Sequence, residues 1–87
     1  MTAALQIYYS GFDSTFFKLP SDIQARIEDR IDEMGLRLET FPHHRLKGQD
    51  RYRLRVGDYR IIYTFETSKN VIHLLAVGHR REIYKNV

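Results

Sequence analysis

Between Arg51 and Tyr63, cationic and apolar residues alternate with period two, the period of a β-strand. The run reads Tyr52-Arg53-Leu54-Arg55-Val56, then Gly57-Asp58, then Tyr59-Arg60-Ile61-Ile62-Tyr63. Gly-Asp is suited to a two-residue hairpin turn. Pairing outward from it sets Val56 against Tyr59, Arg55 against Arg60, Leu54 against Ile61, Arg53 against Ile62 and Tyr52 against Tyr63. One face is then wholly apolar or aromatic, and the other gathers Arg53, Arg55 and Arg60. Like charges directly opposite on a sheet destabilise it. A hairpin that sets Arg55 against Arg60 therefore invites an anion between them.

The chain around this hairpin has 87 residues, enough for one small domain over residues 1–87 with a single core. It has no cysteine, which excludes a disulfide scaffold, a thiolate metal site and cysteine catalysis. No apolar run approaches the roughly 18 residues that span a bilayer. The first residues lack the cationic start of a signal peptide, so a cytoplasmic protein is expected. The net charge of +3 conceals an asymmetry. Residues 1–42 hold four Lys/Arg against seven Asp/Glu, a net of −3, and residues 43–87 hold ten against four, a net of +6. The hairpin lies in the basic half, as a footprint for a polyanion would require.

Residues 5–9 read as a first strand, broken by Ser10-Gly11, and residues 12–18 as a short helix capped by Asp13 or Ser14. Ser21-Asp22 offers the start of a second helix. Ile23, Ile27, Ile31 and Met34 then recur at helical spacing as one apolar stripe, with the end near Gly35 or Leu38. Residues 41–50 read as a loop rich in histidine and basic residues. The hairpin follows, then a turn at Thr67-Ser68-Lys69-Asn70. Residues 71–77 are apolar almost throughout, which marks a central strand covered on both faces and ended by Gly78. Residues 79–85 form a short polar tail. The fold class is α+β: a strand, two helices, then a three-stranded antiparallel meander (β-α-α-β-β-β), with the helices on its apolar face and the arginine face bare.

Four constellations stand out. Guanidinium groups keep their charge and match phosphate with paired hydrogen bonds, so Arg53, Arg55 and Arg60 suit phosphates or a pentavalent phosphorane. The bland alternative pairs each with Asp50, Asp58 or Glu66. His79-Arg80 follows the central strand, where Arg80 can support a leaving oxygen and His79 can act as acid or base. Tyr84, near cations, suits stacking on a nucleobase. His43-His44, with Arg45 and Lys47, reads as a loop touching RNA backbone rather than a metal site, because no cysteine or spaced carboxylate accompanies the histidines. Arg51 and Arg81 extend the basic surface. His73, inside an apolar strand, reads as a satisfied, partly buried residue.

The runs His44-Arg45-Leu46-Lys47-Gly48, Tyr52 to Tyr63 as quoted, and Val77-Gly78-His79-Arg80-Arg81-Glu82-Ile83-Tyr84 resemble the RelE/ParE superfamily of bacterial and archaeal toxins. The resemblance implies the small RelE-like fold and a toxin of a type II toxin–antitoxin system. RelE-like members are endoribonucleases that cut messenger RNA in the ribosomal A site. They use no metal or cofactor: a ribose 2′-hydroxyl attacks the adjacent phosphate, and translation stops. A cognate antitoxin silences them. By the resemblance, Arg60 grips phosphate, Arg80 serves the leaving group and Tyr84 stacks on the base. Arg53 and Arg55 stand where the best-studied member has lysines. Arginine stays protonated, so neither is a base. His79 is the expected base, with His43 or His44 behind it. Failing these, catalysis rests on electrostatics and on imposed RNA geometry. Two other readings share the fold: a ParE-like inhibitor of DNA gyrase, and a non-catalytic RNA-binding module.

Overall fold

The computed structural model describes residues 2–86. The elements run β1 (Leu5–Tyr8), α1 (Ser10–Phe16), α2 (Ser21–Leu36), β2 (His44–Arg45), β3 (Tyr52–Val56), β4 (Tyr59–Glu66) and β5 (Val71–His79), then a 3₁₀ turn at Ile83–Asn86. The strands form one sheet in the order β1-β5-β4-β3-β2, and two helices cover one face of it. The α+β architecture expected from the sequence is the architecture found.

The hairpin register is the one drawn from the alternation, pair for pair from Val56↔Tyr59 to Tyr52↔Tyr63. Gly57 takes φ 58°, a backbone region that side-chain-bearing residues rarely enter, and so closes the two-residue turn. The stripe on α2 behaves as its spacing requires. Ile27, Ile31 and Met34 are fully buried, and Ile23 packs on the cluster from its rim. Each of these large side chains contributes roughly 1.5–3 kcal/mol by leaving water. Facing them from the sheet are Leu54, Val56, Ile61, Tyr63, Leu74 and Val77.

Three features differ from expectation. First, α1 begins at Ser10 rather than Phe12, and neither helix has a side-chain cap. The segment is fixed by packing instead: Phe12 and Phe16 are buried, and a Cβ on Gly11 would stand 2.8 Å from the Leu75 carbonyl oxygen. Second, part of the His-rich loop is a strand, because β2 pairs with the outer edge of β3. β1 joins the other edge in parallel, with Leu5↔Val71 through Tyr8↔Leu74. Third, the arginine face is not bare. β5 continues through Gly78 to His79, and Ile83 of the 3₁₀ turn packs on Gly78. Ile62 and Ile83 are buried there, and Arg60 itself is 7% exposed.

Candidate nucleic-acid interface

Arg53 and Arg55 leave β3 on the face away from the helices, because Leu54 and Val56 between them belong to the core. Arg60 leaves β4 on the same face, paired with Arg55 on one side and Gly78 on the other. Gly78 has no side chain, which leaves the space that Ile83 fills. The backbone N–H of Arg80 donates to the Asp58 carbonyl at 2.7 Å and ties the segment after β5 to the hairpin turn. The outcome is an open depression of about 400 Å³ lined by Arg53, Arg55, Arg60, Arg80, Arg81 and Tyr84. Tyr84 is 41% exposed there, with its ring available for contact.

Two of the acids in the basic half are committed to cations outside this depression. Asp50 pairs with Arg45 at 2.6 Å, and Glu66 with His73 at 3.1 Å and Lys69 at 3.8 Å. Asp58 reaches the Arg80 guanidinium at 3.7 Å. Among the described residues no carboxylate lies within ion-pair distance of Arg53, Arg55, Arg60 or Arg81. Arg60 donates instead to the carbonyls of Gly57 and Tyr59, both at 2.9 Å. Carbonyl dipoles hold a guanidinium in place without cancelling its charge. A dianionic or bridging phosphate is the group that such a constellation fits.

The histidines sort by strand parity. His79 pairs with Tyr59, so it points to the helix side and not toward the arginines; its ring meets the Tyr59 ring at 5.8 Å. Its Nδ1 accepts the Arg81 backbone N–H at 3.2 Å. The sequence ends this strand at Val77 and lets His79 reach over the sheet, but the strand runs two residues further and takes His79 into the ladder. His43 is also on the helix side. Its Nε2–H donates to the Leu38 carbonyl at 2.7 Å, its Nδ1 accepts the Tyr63 hydroxyl at 2.6 Å, and its ring stacks on Phe65 at 3.9 Å. Burial pushes the Tyr63 phenol well above its ordinary pKa. His73 is held by Glu66 and by the Tyr9 hydroxyl, as a satisfied side chain. His44 is different: it pairs with Arg53, so it stands on the arginine face, exposed.

The family model described as "ParE toxin of type II toxin-antitoxin system, parDE" matches residues 7–84. The chain belongs to the ParE toxin family. It is thus a toxin of a type II toxin–antitoxin system, within the wider RelE/ParE superfamily. Among the curated proteins none matches in sequence. Solved structures extend the likeness. The free E. coli toxin RelE, as a double mutant, is 18% identical, with 97% of this chain and 93% of that one covered at a TM-score of 0.77. The RelE–RelB complex of Pyrococcus horikoshii OT3 is 25% identical, with 93% and 99% covered at 0.73. The RelB–RelE complex of Methanococcus jannaschii is 28% identical, with 92% and 96% covered at 0.70.

In this ParE-family toxin the remaining basic candidates divide. Arg81 joins the depression. Arg51 borders a second hollow further along the same face, beside Ile62, Ala76 and Ile83. Arg45 is turned to its own loop, donating to the Gln49 carbonyl at 2.8 Å and to Asp50. Lys47 is exposed in the turn between β2 and β3, outside the depression. The position of His44 is what the sequence reading missed. The signal for it was present in Gly48 and the turn-forming Gln49-Asp50, which close a hairpin between β2 and β3. Among the described residues no group of three or more metal-ligating side chains comes together, and no helix is long and apolar enough to cross a membrane.

Proposed function

We propose that this toxin is a ribosome-dependent endoribonuclease that cleaves messenger RNA in the A site and stops translation. The observation that carries the reading is the set of five arginines and one tyrosine around a single depression, three of the arginines facing no carboxylate from neighbouring strands. In the reaction, the ribose 2′-oxygen forms a bond to the adjacent phosphorus and the P–O5′ bond breaks. The products are a 2′,3′-cyclic phosphate and a 5′-hydroxyl. Arg53, Arg55 and Arg60 hold the non-bridging oxygens as charge accumulates on them. Arg80 supports the departing O5′, which takes its proton from water, and Tyr84 stacks on the neighbouring base. His44, exposed on the arginine face beside Arg53 and outside the lining of the depression, receives the 2′-hydroxyl proton. The solved relatives include complexes of RelE with RelB, and by analogy a cognate antitoxin is this toxin's partner.

A second reading has its own support, since the matching family model is that of ParE. On that reading the protein binds and inhibits DNA gyrase. Induction in a sensitive cell followed by primer extension on messenger RNA separates the two. The nuclease reading expects discrete new 5′ ends, absent with Arg60→Ala and with Arg80→Ala. Intact messenger RNA together with a DNA-damage response would sink it.

A further inference from the structure

The hollow beside the arginine depression has an apolar floor. Ile62 and Ile83 are buried there, and Ala76 stands opposite Ile62 across the β4–β5 ladder. The register slips at this point: Ile62 pairs with Ala76 but Tyr63 with Leu74, which leaves Leu75 as an extra, unpaired residue of β5. A bulge of this kind bends the strand and re-aims the side chains around it. α1 runs against the bulge at Gly11, and Tyr9 and Thr15 line the hollow from that side. The enclosed volume is about 460 Å³. The Tyr9 ring is 43% exposed, and it is held in place. Its hydroxyl donates to His73 Nδ1 at 3.0 Å, and the His73 Nε2–H donates to Glu66 at 3.1 Å. Arg51 supplies the cation. It precedes β3 by one residue, and its carbonyl accepts the Leu46 N–H at 2.8 Å, so the alternation of Arg53 and Arg55 extends to it. Ile83 borders the hollow while Tyr84, next in sequence, borders the depression, so the two sites adjoin across one 3₁₀ turn.

We propose that this hollow is a second subsite for single-stranded RNA, which takes one further unpaired nucleobase of the strand held in the depression. A base offers flat apolar faces, and the floor of Ile62, Ala76 and Ile83 covers one of them while the fixed Tyr9 ring gives a surface for stacking. Each base also brings a phosphate. Arg51 lies two strand residues beyond Arg53, roughly 6.6 Å along the same row of guanidinium groups, and takes that phosphate. An apolar peptide would fill the floor but leave Arg51 without an anion, whereas a nucleotide satisfies both. The inference rests on the RNA reading proposed above and extends it from the cleaved phosphate to a base at its side.

The test is fluorescence anisotropy of the full chain with a short labelled 2′-fluoro RNA, which has no 2′-hydroxyl to attack, and with versions of it that each lack one base. Ala76→Leu extends a side chain into the hollow, and Tyr9→Leu removes the ring. Each should weaken binding of the intact RNA about tenfold. With the RNA that lacks the base seated in the hollow, both variants should bind as the unaltered toxin does. Unchanged affinity for intact RNA in both variants overturns the proposal. So does an equal loss with every version, which would mean a disturbed fold and not a lost contact. Loss of antitoxin binding with RNA binding intact would give the hollow to a peptide and overturn it too. Arg60→Ala checks the earlier reading separately, since it should weaken all versions alike. If Arg60→Ala changes nothing while Ala76→Leu removes the contribution of one base, the phosphate role of Arg60 falls and the base subsite stands. No binding of any version by the unaltered toxin overturns both.

Discussion

Arg60 and Tyr63 lie three residues apart on one strand and are both buried, yet they answer to opposite demands. Arg60 is held by two carbonyls, and it faces a place for an anion. Tyr63 stays neutral because burial disfavours its phenolate, and its hydroxyl is spent on His43. The unfolded phenol ionises near pH 10, roughly. The folded one resists, so its contribution to stability is complete below that pH and is lost as pH rises beyond it. Urea unfolding of the unaltered protein should therefore show stability falling above about pH 10, and Tyr63→Phe should blunt that fall. His44 carries a different expectation. It is exposed, so His44→Gln should leave the unfolding midpoint in place. Single-turnover cleavage should drop about 100-fold. An unchanged cleavage rate would remove His44 from the base role. None of this burial is legible from the residues one at a time. Arg60 reads as a surface cation until Ile83 is folded over Gly78.

At the scale of elements, strand parity decided what could be foreseen. The hairpin was readable because alternation and Gly57-Asp58 fix both face and register. The α2 stripe was readable because Ile27, Ile31 and Met34 are large and regularly spaced. β2 was not, since two residues carry no period, and its partner is visible only once β3 has an open edge. Gly78 reads as the end of a strand, so the sequence alone leaves His79 off the ladder. Carrying the strand two residues further, through Gly78, places His79 opposite Tyr59. The start of α1 was missed because close packing, not a capping side chain, sets it. That packing is testable. Gly11→Ala puts a methyl group 2.8 Å from the Leu75 carbonyl oxygen, a backbone atom that cannot swing away. Chemical denaturation should report a loss of about 1–3 kcal/mol.

For the whole molecule, charge is segregated as the sequence is. The acidic half builds the helices and the edge strand β1, and the basic half builds the four strands β2–β5, two of which carry the arginines. Binding to a single-stranded RNA through three or four phosphates should fall with salt at a log–log slope of about −2 to −3. Arg60→Ala should make that slope shallower by about 0.7. A flat response measured by filter binding would mean that the depression does not hold phosphates.

The parallel pairing of β1 with β5 has a kinetic consequence. Every arginine and the tyrosine of the depression come from a stretch joined by tight hairpins, whose closure takes microseconds in isolation. The ladder between β1 and β5 joins positions 5–8 to positions 71–74 and so encloses nearly the entire chain. Contacts this distant in sequence carry the largest loop-closure entropy and slow the search for the native state. The chemistry of this protein is thus assembled from its quickest-forming parts, and the pace of its maturation is set by a strand that touches none of them.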